Sequence, residues 1–124
     1  MLTKILLWAS AIIFTSYGIA CLLNPELPAS YAGLSITNGD AYAELGAMYG
    51  GLQTGFGLFC ALAAIKPSLH QAGLLMLVYL IGGLASARLL SLLTGTDPVA
   101  GYTWGALAYE SATAILAAIA LRIK

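Results

Sequence analysis

Read from the N-terminus, the chain is a succession of long apolar runs broken by short polar connections. The runs cover about residues 2–23, 41–65, 72–93 and 103–121. Each is close to the roughly 20 residues an α-helix needs to cross the hydrocarbon core of a bilayer. The breaks between them carry the helix-stopping chemistry. Pro25 and Pro28 follow the first run, Lys66-Pro67 ends the second, and Asp97-Pro98 precedes the fourth. The residue before a proline is pushed out of the helical region, which makes each a natural boundary. Asp40 is placed to cap the second run, and Asp97-Pro98 reads as a cap with proline at the first helical position. Within the first connection, Leu27, Tyr31 and Leu34 recur at helical spacing, predicting a short helix lying on the membrane surface. The expectation is all-α: an integral membrane, antiparallel four-helix bundle forming a single domain over residues 1–124.

Composition agrees with this pattern and narrows it. Of 124 residues, 60% are hydrophobic and only 8% charged, with no formal net charge, and the mean hydropathy is +0.91. Soluble domains carry about 25% charged residues, so water is the wrong solvent for this surface. No basic excess exists to hold nucleic acid. One histidine, His70, is too few to complete a zinc site or a bis-imidazole haem, so neither metal nor cofactor is expected. It reads as a surface residue. A signal-peptide reading of the first run is disfavoured because glycine stands three residues before Cys21 and the apolar run is too long.

Charge sets the orientation. Lys4, Lys66, Arg122 and Lys124 fall on one side if the spans alternate, whereas Glu26, Asp40 and Asp97 fall on the other. Positive charge stays inside, so both termini are expected in the cytoplasm. The same topology puts Cys21 and Cys60 near opposite faces of the membrane, out of disulfide reach.

Three ionisable side chains lie within the spans. At about 1.5 Å per residue, Glu44 is roughly 5 Å below the outer end, Arg88 roughly 8 Å and Glu110 roughly 11 Å. A charge in the bilayer centre costs about 2.5–3.5 kcal/mol on insertion scales. An Arg88–Glu110 pair with Glu44 above it reduces that cost. Glu44 shares a row with Ala47, Gly51 and Gly55, while Tyr49 and Gln53 point the opposite way. With GxxxG spacing at Gly46–Gly50 and Gly51–Gly55, the second span is expected to have helix neighbours on both sides. Arg88 shares its row with Ile81, Leu84, Ala85 and Ser91, and snorkelling to the headgroups competes with an inward role. In the first span Ser10, Phe14, Tyr17 and Cys21 share an inward face. Tyr17, Tyr49 and Tyr109 are candidates to line a pocket with Gln53. Tyr31, Tyr42 and Tyr102 read as belt residues at the interface.

The run AELGAMYGGLQTGFGLF, the later ARLLSLL and the intramembrane Glu110 resemble the bacterial domain of unknown function family 4345, small four-span proteins of the DoxX-like set. The likeness covers nearly the whole chain, including NPEL after the first span; Tyr49-Gly50-Gly51 is its most specific part. It departs at Gly46, where the family commonly carries arginine. The resemblance implies a multi-pass protein of the bacterial inner membrane and assigns no activity. Relatives in the wider set suggest quinone-coupled chemistry or a helper role for other membrane proteins.

Three functions remain open from the sequence. The favoured one is binding of an amphipathic small molecule, a lipid or quinone, or of a partner helix, at a polar cluster of Glu44, Arg88, Glu110, Tyr49, Gln53, Tyr17 and Tyr109. The second is an accessory subunit of a larger respiratory or photosynthetic membrane complex, or a homo-oligomer, with the glycine rows as docking surface. The third is a small enzyme using an intramembrane carboxylate as acid or base, since burial raises a carboxyl pKa towards useful values.

Overall fold

The computed structural model describes residues 1–123; Lys124, one of the charges counted for the inner side, lies outside the described residues. Five helices make up the fold: α1 (Leu2–Leu23), α2 (Glu26–Ala32), α3 (Gly39–Ile65), α4 (Pro67–Thr94) and α5 (Gly101–Arg122). Four of them, α1, α3, α4 and α5, are long and apolar enough to span a bilayer. The short α2 occupies the first connection. Its chain turns away at Gly33, whose φ of 71° is a left-handed conformation that only glycine adopts without strain.

Two helix starts differ from expectation. α3 is capped by Asn38, whose side chain accepts a hydrogen bond from Ala41 N at 2.9 Å, which leaves Asp40 in the first turn. There its charge still favours the positive end of the helix dipole. α5 begins at Gly101 after an extended Ala100, with no side-chain cap. Asp97-Pro98 remains in the loop that precedes it.

Packing divides the bundle into a tight half and an open half. In the half that carries both chain termini, Leu7, Cys60, Ala63, Leu74, Leu77 and Ala117 are wholly buried in one apolar cluster drawn from all four long helices. Here α3 and α4 meet directly, close to the turn that joins them. The outer surface is greasy as well: Ile12, Leu58, Leu90 and Ile115 are each more than half exposed. Interior and exterior both apolar is the signature of a bundle that uses lipid as its solvent. This is a multi-pass membrane protein.

α1 and α3 form the closest pair, and glycine makes that closeness feasible. A Cβ on Gly50 would come within 2.8 Å of the Leu22 backbone, one on Gly57 would strike Thr15, and one on Gly18 would strike Thr54. Gly50 and Gly57 stand seven residues apart, two helical turns, so both face the same neighbour. Of the two GxxxG pairs anticipated from sequence, only Gly50 is used this way. Gly46 and Gly55 have open space where a Cβ would stand, and Gly51 meets nothing but its own helix. Contrary to expectation, α3 therefore has helix contact on one side and an unpacked small-residue face on the other.

Two stretches within the long helices widen into π-helical turns, Gly46–Gly51 in α3 and Leu77–Ile81 in α4. Such turns bond i to i+5 and re-aim the side chains beyond them. Cys21 and Cys60 are buried and free. His70 is not the surface residue expected. The 3₁₀ turn Pro67–Leu69 starts α4 early, and the ring is partly enclosed, with Nε2 buried and unpartnered among the described residues.

Candidate functional site

The open half of the bundle contains the intramembrane charges. Past its π-helical turn, α4 presents Ile81, Ala85 and Arg88 on one inward row, with Ile81 and Ala85 buried. α5 presents Glu110 and Thr113 from the opposite wall, both buried. The Thr113 hydroxyl donates to the Tyr109 carbonyl at 2.8 Å, so it needs no partner from another helix. Arg88 Nη2 reaches Glu110 Oε1 at 2.7 Å and Nε reaches Oε2 at 3.0 Å. Two parallel bonds from a planar guanidinium to a carboxylate are the strongest geometry this pair can adopt. The alternative of Arg88 snorkelling alone to the headgroups is not realised. Its Nη1 is left with no side-chain partner among the described residues.

Beside the pair lies a cavity of about 720 Å³, within the range that holds small organic ligands. All four long helices line it. Phe14 and Phe56 stack edge-to-face at 4.7 Å as an apolar floor, with Tyr109 beside them at 6.3 Å from Phe14. Tyr17, Tyr49 and Gln53 face the cavity from α1 and α3, and Arg88 and Glu110 from α4 and α5. The Tyr17 hydroxyl is buried and has no hydrogen-bond partner among the described residues. Leaving a buried hydroxyl unpaired costs about 1–3 kcal/mol, and the Cys21 thiol and Tyr102 hydroxyl are its polar neighbours.

The cavity is open on one side. Close contact between α3 and α4 is confined to the tight half of the bundle. Both π-helical turns border the cavity, contributing Met48 and Tyr49 from one and Leu80 and Ile81 from the other. The gap between α1 and α5 is covered by α2, which packs on both and whose Tyr31 stacks on Tyr102 at 6.0 Å. The opening thus lies between α3 and α4. On the far side of Arg88 a shallower groove of about 350 Å³ runs past Ala87, Ser91, Val99 and Thr103.

Six of the seven residues singled out from sequence, Tyr17, Tyr49, Gln53, Arg88, Tyr109 and Glu110, line this one cavity. Glu44 does not. It is exposed on the outward face of α3 with Ala47, Gly51 and Gly55, so it does not sit above the pair. No other helix packs against that row at Gly51 or Gly55. Tyr102, read as a belt residue, is part of the cavity wall. Its inward position was visible in the spacing Tyr102, Ala106, Tyr109, Glu110, which keeps to one side of a helix. Nothing in the sequence marked the π-helical turns or the aromatic floor.

The model of the family described as domain of unknown function (DUF4345) matches residues 2–121, and the chain belongs to that family. No curated protein and no solved structure matches it.

Proposed function

We propose that this DUF4345 protein binds an amphipathic, lipid-soluble small molecule, which enters sideways from the bilayer between α3 and α4. The polar end of the ligand lies against Arg88, Tyr17 and Gln53, and its apolar part lies on Phe14 and Phe56 and trails towards Met48 and Leu80. The observation that carries this reading is the unpartnered Tyr17 hydroxyl in a cavity that also holds a satisfied ion pair. A wholly structural pair needs neither the empty volume nor the spare hydroxyl beside it. In the membrane, both termini face the cytoplasm, since Lys4, Lys66 and Arg122 cluster at the tight end and Glu26, Asp40 and Asp97 at the other. The open half of the cavity then faces the outer leaflet.

A second reading has one observation in its favour. The outward face of α3, with Glu44, Ala47, Gly51 and Gly55, is small enough to admit another helix at close range. Docking to a larger membrane complex, or to a second copy, would use that face and leave the cavity alone.

Native mass spectrometry of protein released from membranes in mild detergent separates the two. The cavity reading expects a retained amphiphile in wild type and its loss in Ala106→Phe, which fills the cavity from α5. Wild type that carries no bound amphiphile, or a bound mass indifferent to Ala106→Phe, would overturn it. Larger subunits in the spectrum that disappear in Gly51→Leu would instead favour docking.

A further inference from the structure

If the cavity is a binding site, its polar groups also state the charge of what binds. Only two charged residues line it, Arg88 and Glu110, and they neutralise one another through two hydrogen bonds. Each carboxylate oxygen already accepts from the guanidinium, so a ligand cation would gain Glu110 only by approaching Arg88, against like charge. A ligand anion would gain Arg88 only by approaching Glu110, against like charge in a medium of low dielectric. What the pair leaves over is a donor, Nη1, because a guanidinium has no acceptor to offer. The second unused group, the Tyr17 hydroxyl, can donate as well. Gln53, Tyr49 and Tyr102 add polar groups that can donate or accept. A guanidinium N–H that can only donate, no spare charge and an apolar floor describe a complement that is neutral, apolar in its body and tipped with an accepting oxygen.

We infer that the cavity selects an uncharged amphiphile bearing a carbonyl oxygen, and that Glu110 is the residue that excludes anionic lipids by compensating the charge of Arg88. This inference rests on the proposed binding role and refines it. A quinone and an acylglycerol ester are two natural sources of such an oxygen, and both present it at the end of a long apolar chain.

The test uses the full chain in lipid nanodiscs and three probes of equal chain length: a methyl ketone, an alkylphosphonate and an alkylammonium. Wild type is expected to bind the ketone at least tenfold more tightly than either ion. Tyr17→Phe, which removes one donor and little else, is expected to weaken the ketone several-fold and leave the ionic probes where they were. Glu110→Gln frees the guanidinium, and the preference is expected to invert in favour of the phosphonate. Protection of Cys21 and Cys60 from thiol reagents shows which variants are folded, and the wild-type ranking with Tyr17→Phe suffices should Glu110→Gln fail to fold. A short-tailed benzoquinone and a diacylglycerol, run as competitors of the bound ketone, tell the two sources apart by which displaces it. Phosphonate or ammonium binding to wild type as tightly as the ketone overturns the inference and leaves the cavity reading intact. Failure of every probe to bind overturns the cavity reading itself.

Discussion

Removing Arg88 and Glu110 singly and together puts a number on the ion pair. The perturbation is a cycle of Arg88→Met, Glu110→Met and the double variant, methionine being close in length and free of charge. In the parent the contacts are 2.7 and 3.0 Å, and charges about 4 Å apart at an effective dielectric near 20 attract by about 4 kcal/mol. Side-chain exposure is 26% for Arg88 and 9% for Glu110, so the two single variants are unequal. Arg88→Met strands a carboxylate that cannot reach water, at a cost of about 3–5 kcal/mol. Glu110→Met strands an arginine that is partly exposed and long enough to turn outward, so we expect about half of that. The double variant replaces the pair by apolar volume in an apolar surround and is expected to return to within about 1 kcal/mol of the parent. Cys21 and Cys60 are fully buried, which supplies the assay: the temperature at which a thiol reagent begins to modify them in detergent. The order expected is parent, double variant, Glu110→Met, Arg88→Met, from most to least stable. Costs that simply add in the double variant would refute the reasoning, because the two side chains would then not be compensating one another.

Three further outcomes test other parts of the structure. Gly50→Ala should destabilise by about 1–3 kcal/mol, as overpacking does, since the new Cβ meets the Leu22 backbone at 2.8 Å. Its neighbour Gly51→Ala should be neutral or stabilising by up to about 1 kcal/mol from helix propensity, and the thiol-protection assay reads the opposite signs directly. Glu44→Gln, on an exposed position, should change stability by less than about 0.5 kcal/mol and leave the amphiphile content seen by native mass spectrometry unaltered. In a cysteine-free background, a membrane-impermeant maleimide applied to intact bacterial cells should label Thr96→Cys and not Ser68→Cys; the reverse pattern would invert the proposed orientation.

How much of this was legible in the sequence depends on what each feature needs in order to form. The long helices need apolar length and a stop, both of which are local, and their positions follow from the runs and the prolines to within a few residues at most ends. The Arg88–Glu110 pair was legible for a different reason: lipid leaves a buried charge few options, and these two were the ones at compatible depth. Glu44 shows where that logic fails. An acid in the first turns of a helix has the helix dipole and the nearby headgroups to stabilise it, so it is under no obligation to find an arginine. The glycines misled for a related reason. Spacing says which glycines share a face, but only the partner decides which face is used, and α1 packs against Gly50 and Gly57 rather than against Gly51 and Gly55.

The cavity was the least legible feature because it depends on an irregularity. At 100° per residue, Leu45 and Gly50 project about 140° apart, yet both are buried. The π-helical turn between them absorbs the difference. A second such turn lies in α4, nearer the apolar core, and residues of both turns line the cavity. Whether a stretch such as GAMYGG bonds i to i+4 or i to i+5 is decided by a small energy difference and by what surrounds it, so no local pattern announces it. The consequence is a division of labour along the bundle axis. The half with regular helices packs solid around Leu7, Cys60 and Leu74, and fixes how the helices leave it. The half beyond the π-helical turns is thereby held apart, with its one ion pair satisfied and one tyrosine hydroxyl unsatisfied. A regular α-helical register through both turns would re-aim Tyr49 and Leu80, which line the cavity, so the widened turns set the shape of its wall.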